Sequence, residues 1–199
     1  MIRKITLTLA LLIVSLSMYA QQPLIEKFPG KFSLGTRTTA SLFNGDDGGT
    51  AGIGIGGQFR VQFSNRINSE WFADFITSSI NNVATRDDYH IGWSLMYYPG
   101  TQINFTKVIQ PYILAGHCFD YTRVMDDKNS SNFQERWSMA MQAGAGTHFN
   151  LTQRFDFSLS AQYMLHLGTK ITASNSEGVT SFTKSKGAGI QDHILLQFL

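Results

Sequence analysis

Long stretches in which apolar and polar side chains alternate at every second residue narrow the choice of fold more than any other feature of this chain. In Ala51–Phe63 the odd positions are Ala51, Ile53, Ile55, Gly57, Phe59, Val61 and Phe63. The even positions are Gly52, Gly54, Gly56, Gln58, Arg60 and Gln62. Phe155, Phe157, Leu159, Ala161, Tyr163 and Leu165 alternate in the same way with Asp156, Ser158, Ser160, Gln162, Met164 and His166. A period of two is that of a β-strand whose faces meet different surroundings. Eight such segments can be drawn, at 31–43, 50–64, 69–80, 88–98, 109–123, 135–149, 154–166 and 187–199. Each exceeds the usual five or six residues of a soluble strand, and about 9–11 tilted residues suffice to cross a bilayer.

The links between segments differ in length and character. Asn65–Asn68 and Asn150–Gln153 are tight, and the link around Pro99–Thr101 is of medium length with few charges. The other set is polar: Asn44–Gly49, Asn81–Asp87, Met125–Gln134 and the long Gly168–Lys186. Short turns at one end and longer polar loops at the other are the layout of bacterial outer-membrane barrels.

Residues 1–20 carry Arg3 and Lys4, a largely apolar run from Ile5 to Leu16, and an exit ending in Ala20. This is the pattern of a secretory signal peptide cleaved after Ala20, and its apolar core is shorter than the roughly 20 residues of a spanning helix. Residues 21–30 then read as a short periplasmic lead-in and 31–199 as the barrel domain. Without Arg3 and Lys4, fourteen basic residues face fourteen acidic ones. A neutral chain offers no electrostatic case for nucleic acid. A single cysteine, Cys118, excludes a disulfide scaffold.

Alternation alone does not say which face meets lipid. The polar face bears Arg37, Arg60, Glu70, Asp74, His90, Gln142, His148, Asp156, Gln162 and His166. Eight strands enclose a lumen just wide enough to be filled by side chains, so these residues read as an interior polar network with glycines making room. Aromatics gather near segment ends, at Phe32, Phe63, Trp71, Tyr89, Tyr97, Tyr98, Trp137, Phe149, Phe155 and Phe198, as interfacial girdles require. The last segment ends with Ile194, Leu196 and Phe198 on one face.

Together these features resemble the small eight-stranded outer-membrane β-barrel family of the OmpA transmembrane-domain and OmpX type, over essentially the whole mature chain. The resemblance implies an all-β fold, an eight-stranded antiparallel transmembrane up-and-down β-barrel, with both termini in the periplasm. It also implies that Ile194, Leu196 and Phe198 serve as the barrel-insertion signal read by the assembly machinery. The chain ends on Leu199, where the family usually has an aromatic. Strict alternation turns Asp192 to the lipid face, so a bulge or register change is expected there. In the segment Tyr112–Tyr121, His117 is set inward, because the reverse would place an imidazole in lipid.

Specific chemistry finds little purchase. His90, His117, His148, His166 and His193 all point inward in this register, on five strands and without metal-ligand spacing. They read as hydrogen-bonded lumen residues, and no metal or cofactor is expected. Arg37, Arg60, Glu70 and Asp74 read as a salt-bridge network, since buried charges need partners. His166 with Ser160 or Ser158 and Asp156 is the nearest approach to a hydrolytic triad. Ser160 and His166 nevertheless stand about 20 Å apart along one strand. The glycine run Gly52–Gly57 lacks the helix and Lys-Ser/Thr of a phosphate loop, and Cys118 reads as a small buried residue.

The expectation is therefore a monomeric, non-enzymatic barrel of the bacterial outer membrane with a structural or surface-interacting role. Its expected partners are outer-membrane lipid, lipopolysaccharide and, during insertion, the assembly machinery. Three rivals stay open: an envelope enzyme acting on lipid A, a narrow channel for small solutes, and a soluble periplasmic barrel holding an apolar ligand inside.

Overall fold

A computed structural model describes residues 32–44, 51–99, 103, 108–152, 154–169, 171–176, 179–184 and 189–199. The signal peptide and lead-in lie outside the described residues. Seven strands follow in order: β1 (Phe32–Asn44), β2 (Ala51–Ser64), β3 (Ile67–Ile80), β4 (Ala84–Tyr97), β5 (Ile109–Asp126), β6 (Phe133–Asn150) and β7 (Asp156–Gly168). A short hairpin, β8 (Ile171–Ser176) and β9 (Val179–Lys184), precedes the closing strand β10 (Gly189–Phe198). Strands β1–β7 and β10 form a closed barrel in which neighbours in sequence are neighbours in space, while β8 and β9 pair only with each other. Each expected segment overlaps a barrel strand, with ends displaced by at most four residues.

Cross-strand register fixes the shape. The row that starts at Leu34 on β1 passes Phe59, Trp71, Trp93, His117, Met141, Leu165 and Asp192. It returns to β1 at Asn44, ten residues above its start. That stagger over eight strands corresponds to a strand tilt of about 40°. The row therefore climbs from the end that carries both strand termini (the terminal end) to the opposite, loop end.

The alternating faces sort by this register. Ile53 and Ile55 are 65% and 69% exposed, whereas Gly52, Gly54, Gln58 and Gln62 are buried. The exterior is an apolar belt crossed by two climbing aromatic ladders. One runs Phe32–Phe59–Trp71–Trp93 with ring centroids 5.9, 6.0 and 6.5 Å apart. The other runs Phe75–Tyr89–Tyr121–Trp137 at 5.0, 5.8 and 4.9 Å. Above the second, Asp87, Arg123 and Glu135 are cross-strand neighbours, with Arg123 3.8 Å from Glu135.

Four local expectations are corrected. Asn81–Asp87 is not a loop. Asn81 and Asn82 take positive φ (50° and 54°), and the Val83 amide donates to the Ile80 carbonyl at 3.0 Å. This two-residue turn matches strand twist and suits asparagine, so β3 and β4 run almost to its tip. Second, β10 pairs with β7 without a break from Gly189 to Phe198. Asp192 faces outward near the loop end and accepts a 2.7 Å hydrogen bond from the Tyr163 hydroxyl, so no bulge is needed; the register shift lies between Gln62 and Ser64. Third, Tyr98 is no girdle residue but is fully buried. Fourth, His117 points outward. The phase of β5 is set by Tyr112, Leu114, Cys118, Asp120 and Thr122, all buried, and His117 lies on the other parity.

Wall curvature explains some glycines. A Cβ at Gly56 would overlap the Asp74 carboxylate and the Ala73 carbonyl, while one at Gly57 meets nothing closer than 3.9 Å. Gly56→Val is expected to cost about 1–3 kcal/mol and to lower the temperature at which the compact gel species unfolds. Gly57→Val, on the outer face, leaves that temperature unchanged; equal effects would contradict the assigned faces.

Candidate functional site

Among the described residues the interior gathers the chemically active groups, and they lie in layers. At the terminal end, Arg60 on β2 holds Asp156 at the start of β7 in a bidentate pair at 2.7 and 2.8 Å. Its second amino group lies 3.0 and 3.1 Å from the His148 ring nitrogens. His148 also meets the Tyr98 hydroxyl at 2.8 Å, Asp156 at 3.1 Å and the Ser158 hydroxyl. Asn68 donates to the Tyr98 oxygen at 2.9 Å. Tyr98 in this layer and Met96, Tyr112 and Leu114 on its loop side form an apolar cluster joined by Ile103 from the β4–β5 link.

Further up, Arg37 lies 3.4 Å from Glu70 and 3.0 Å from Asp74, with its guanidinium 4.3 Å above the Phe72 ring. Gln142 donates to Ser94 at 2.6 Å, and Gln162 to Gln197 at 2.5 Å. An apolar tier of Phe72, Ile76, Cys118, Ala140, Met164 and Leu195 follows.

Above that tier a hydrogen-bonded chain crosses the lumen. The Asp120 carboxylate is 2.5 Å from His166 Nδ1. His166 Nε2 is 3.2 Å from His193 Nε2, and His193 Nδ1 is 3.2 Å from the Ser41 hydroxyl. One tautomer set satisfies every link: Ser41 donates to His193, His193 to His166, and His166 to Asp120. His90 packs against both rings at 5.7 and 5.9 Å, and the Cys118 thiol donates to Asp120 at 2.9 Å. Nearer the loop end, Arg86 grips Asp88 at 2.7 and 3.1 Å, and Thr122 donates to Asp88 at 2.5 Å. Arg136 donates to the Thr169 carbonyl at 2.8 Å. Ile80, Ala84, Val124 and Ile171 close the top, with Val83, Ala173 and Phe182 packed on them. The β8–β9 hairpin thus contributes to the stopper.

All ten residues assigned to the polar network point into the lumen, but they form three separate charged or histidine groups, with Gln142 and Gln162 pairing instead with Ser94 and Gln197. Arg60, His148 and Asp156 sit together at the terminal end, and Arg37, Glu70 and Asp74 above them. His90 and His166 belong to the Asp120 layer, and His193 is part of it. The hydrolytic grouping is redistributed: His166 takes Asp120 as its acid, while Ser158 and Asp156 meet His148. Each of these groups is enclosed in the packed lumen. Among the described residues no three histidine, cysteine or carboxylate side chains converge on a metal position. Sequence reasoning missed Asp120, Arg86, Asp88 and Arg136, although their even numbering on β4–β6, shared with His90 and Gln142, assigns them to the inner face. The terminal Ile194, Leu196 and Phe198 are exposed on the outer wall. On that wall, a depression of about 430 Å³ beside Gly57 and Ala73 is edged by Leu34, Phe59, Trp71 and Ile91.

A closed barrel with an apolar exterior belt, aromatic ladders and a charged, packed interior defines the class of membrane-spanning β-barrels. The chain belongs to the outer membrane protein beta-barrel domain family, which matches residues 7–186, and its place is the bacterial outer membrane. Among solved structures it resembles Neisserial surface protein A at 12% identity and a TM-score of 0.56, covering 86% of this chain and 97% of that one. It also resembles Ail, the attachment invasion locus protein of Yersinia pestis, at 15% identity and a TM-score of 0.42, covering 86% and 98%. No curated protein matches it.

Arg37 between two carboxylates is the pairing most exposed to test. Arg37→Met leaves Glu70 and Asp74 facing each other without their cation, and is expected to destabilise the barrel by about 3–5 kcal/mol. Heat-induced gel mobility reads the loss. Adding Glu70→Gln and Asp74→Asn should restore most of it; no recovery would mean that Arg37 acts through packing on Phe72.

Proposed function

We propose that the protein is a non-conducting barrel that holds a binding surface at the loop end outside the cell. The observation that carries this reading is the packed lumen, with an apolar cluster near the loop end and paired charges over an apolar cluster at the terminal end. With the interior occupied by the described side chains, the parts free to meet other molecules are the loops. Strands β5 and β6, eighteen residues each, run past the upper aromatic ladder and project as a ribbon. The β8–β9 hairpin is tied to that ribbon: Asn132 donates to the Thr180 carbonyl at 2.9 Å, and Lys184 to the Glu135 carbonyl at 3.1 Å. The tip itself is polar and exposed at Asp127, Lys128, Asn129, Ser130 and Ser131. A ribbon braced by a hairpin is a firm platform for adhesion or ligand contact, because less ordering is needed on binding. Export after cleavage at Ala20, and recognition of Ile194, Leu196 and Phe198 by the insertion machinery, belong to the same reading.

The test separates platform from wall. In cells lacking the native copy, one variant replaces Asp127–Asn132 with Asn-Gly and a second replaces Ile171–Lys184 with a Gly/Ser linker. Both variants should reach the outer membrane as heat-modifiable species. Both should lose cell-cell aggregation and adhesion to glycan-coated and protein-coated surfaces that the wild type supports. Unchanged adhesion would overturn the surface-contact reading. Steady conductance of the wild type in a planar bilayer would overturn the non-conducting part.

A further inference from the structure

His117 is an outward imidazole at half height: it is the fifth of nine positions on the climbing row from Leu34 to Asn44. Its outward neighbours are Trp93 and Met141 across the ladder, and Phe119, whose ring meets the imidazole edge-on at 4.9 Å. None of these accepts or donates a conventional hydrogen bond to it, and among the described residues the imidazole has no such partner. Water is absent at this depth, so the ring's N–H and lone pair stand unmet in hydrocarbon. Of the other outward polar side chains near this level, Tyr163 is satisfied by Asp192, and Thr36 and Thr38 on β1 carry short hydroxyls that can reach their own strand's backbone. A short ring cannot reach the interface as a lysine would.

The wall beside His117 carries small side chains on three adjacent strands. Ala115 pairs with Ala143, and Ala145 with Ala161, all facing outward. Strands β2–β4 carry Ile55, Phe59, Trp71, Ile91 and Trp93 at comparable depths. Small side chains let two membrane surfaces approach closely, and a polar group between them gains a partner it lacks in lipid. A neutral imidazole offers one donor and one acceptor, so two copies related by an approximate twofold axis can share one N–H···N bond when their rings hold opposite tautomers. We infer that two copies of this chain associate in the membrane through the outer wall of β5–β7, with His117 facing the partner's His117 and the alanines forming the contact around it. The expectation of a monomer and the expectation of an inward His117 stood together. Inside the lumen the imidazole would need no second chain, and outside it does.

Full-length protein reconstituted at increasing protein-to-lipid ratio tests this by single-molecule photobleaching. The wild type should pass from monomer to dimer. His117→Leu, similar in size and apolar, should weaken association about tenfold or more while keeping the heat-modifiable folded species. In isolated outer membranes, His117→Cys on a Cys118→Ser background should give a covalent homodimer under mild oxidation. Ile53→Cys on the same background, on β2, should not. A wild type that stays monomeric at every ratio, a leucine variant that dimerises as well as the wild type, equal cross-linking from both cysteines, or a cross-link to a different protein would each overturn the inference.

Discussion

Every backbone amide and carbonyl of a spanning strand must find its partner within the protein, because hydrocarbon supplies none. The other features of this fold follow from that demand. Eight strands meet it only by closing, and closing with a ten-residue stagger tilts the wall and narrows the lumen. The seam between the first and last strands has seven paired residues, Thr38–Asn44 with Asp192–Phe198, against ten between β10 and β7. The final strand thus leans more on its sequence neighbour than on the strand that completes the ring. A narrow lumen in turn forces close approaches, which is why Gly56 lies against Asp74 rather than presenting a side chain of its own.

Closure also decides how charge is treated. A lumen too narrow for bulk water must neutralise its charges by pairing, and each arginine here has an acidic or carbonyl neighbour: Arg60 with Asp156, Arg37 with Glu70 and Asp74, Arg86 with Asp88, Arg136 with Thr169. Such pairs add less stability than their number suggests, since desolvation offsets much of the attraction. Their weight falls on register. Sliding β2 by one residue would turn Arg60 into lipid and leave Asp156 and His148 without it. The apolar tier of Phe72, Met164 and Leu195 divides the polar layers and supplies the packing that the charged layers lack.

The strands and the inner face of the barrel were legible because period-two alternation is a local signal repeated eight times. What was not legible shares one physical cause: alternation gives parity only where the two faces differ in character. Around Gly116-His117-Cys118 both faces are small or polar, so the phase must be carried in from Asp120 and Thr122. The Asn81-Asn82 turn was hidden because a run of polar residues looks the same whether it is a loop or two solvated strand ends. Partnerships across the lumen, such as Asp120 with His166 and His193, join strands far apart in sequence and follow from shear, which no single segment reveals. Asp192 was legible in direction but not in height, and height decides its cost.

Height is equally what separates Asp192 from His117 on the outer wall. Asp192 stands near the loop end, where headgroups and the Tyr163 hydroxyl meet its carboxylate, so outward placement costs it little. His117 stands on the same row at half the climb, with aromatic, methionine and alanine neighbours. The same outward direction therefore has opposite consequences at the two positions. The wall that can remain a lone cylinder at Asp192 has a reason to seek a second surface at His117. A barrel paired there would carry its two loop platforms side by side, so that weak contacts at each ribbon act together through proximity. The buried interior, the membrane-facing histidine and the projecting ribbon are in this way three outcomes of one closed sheet whose strands climb as they turn.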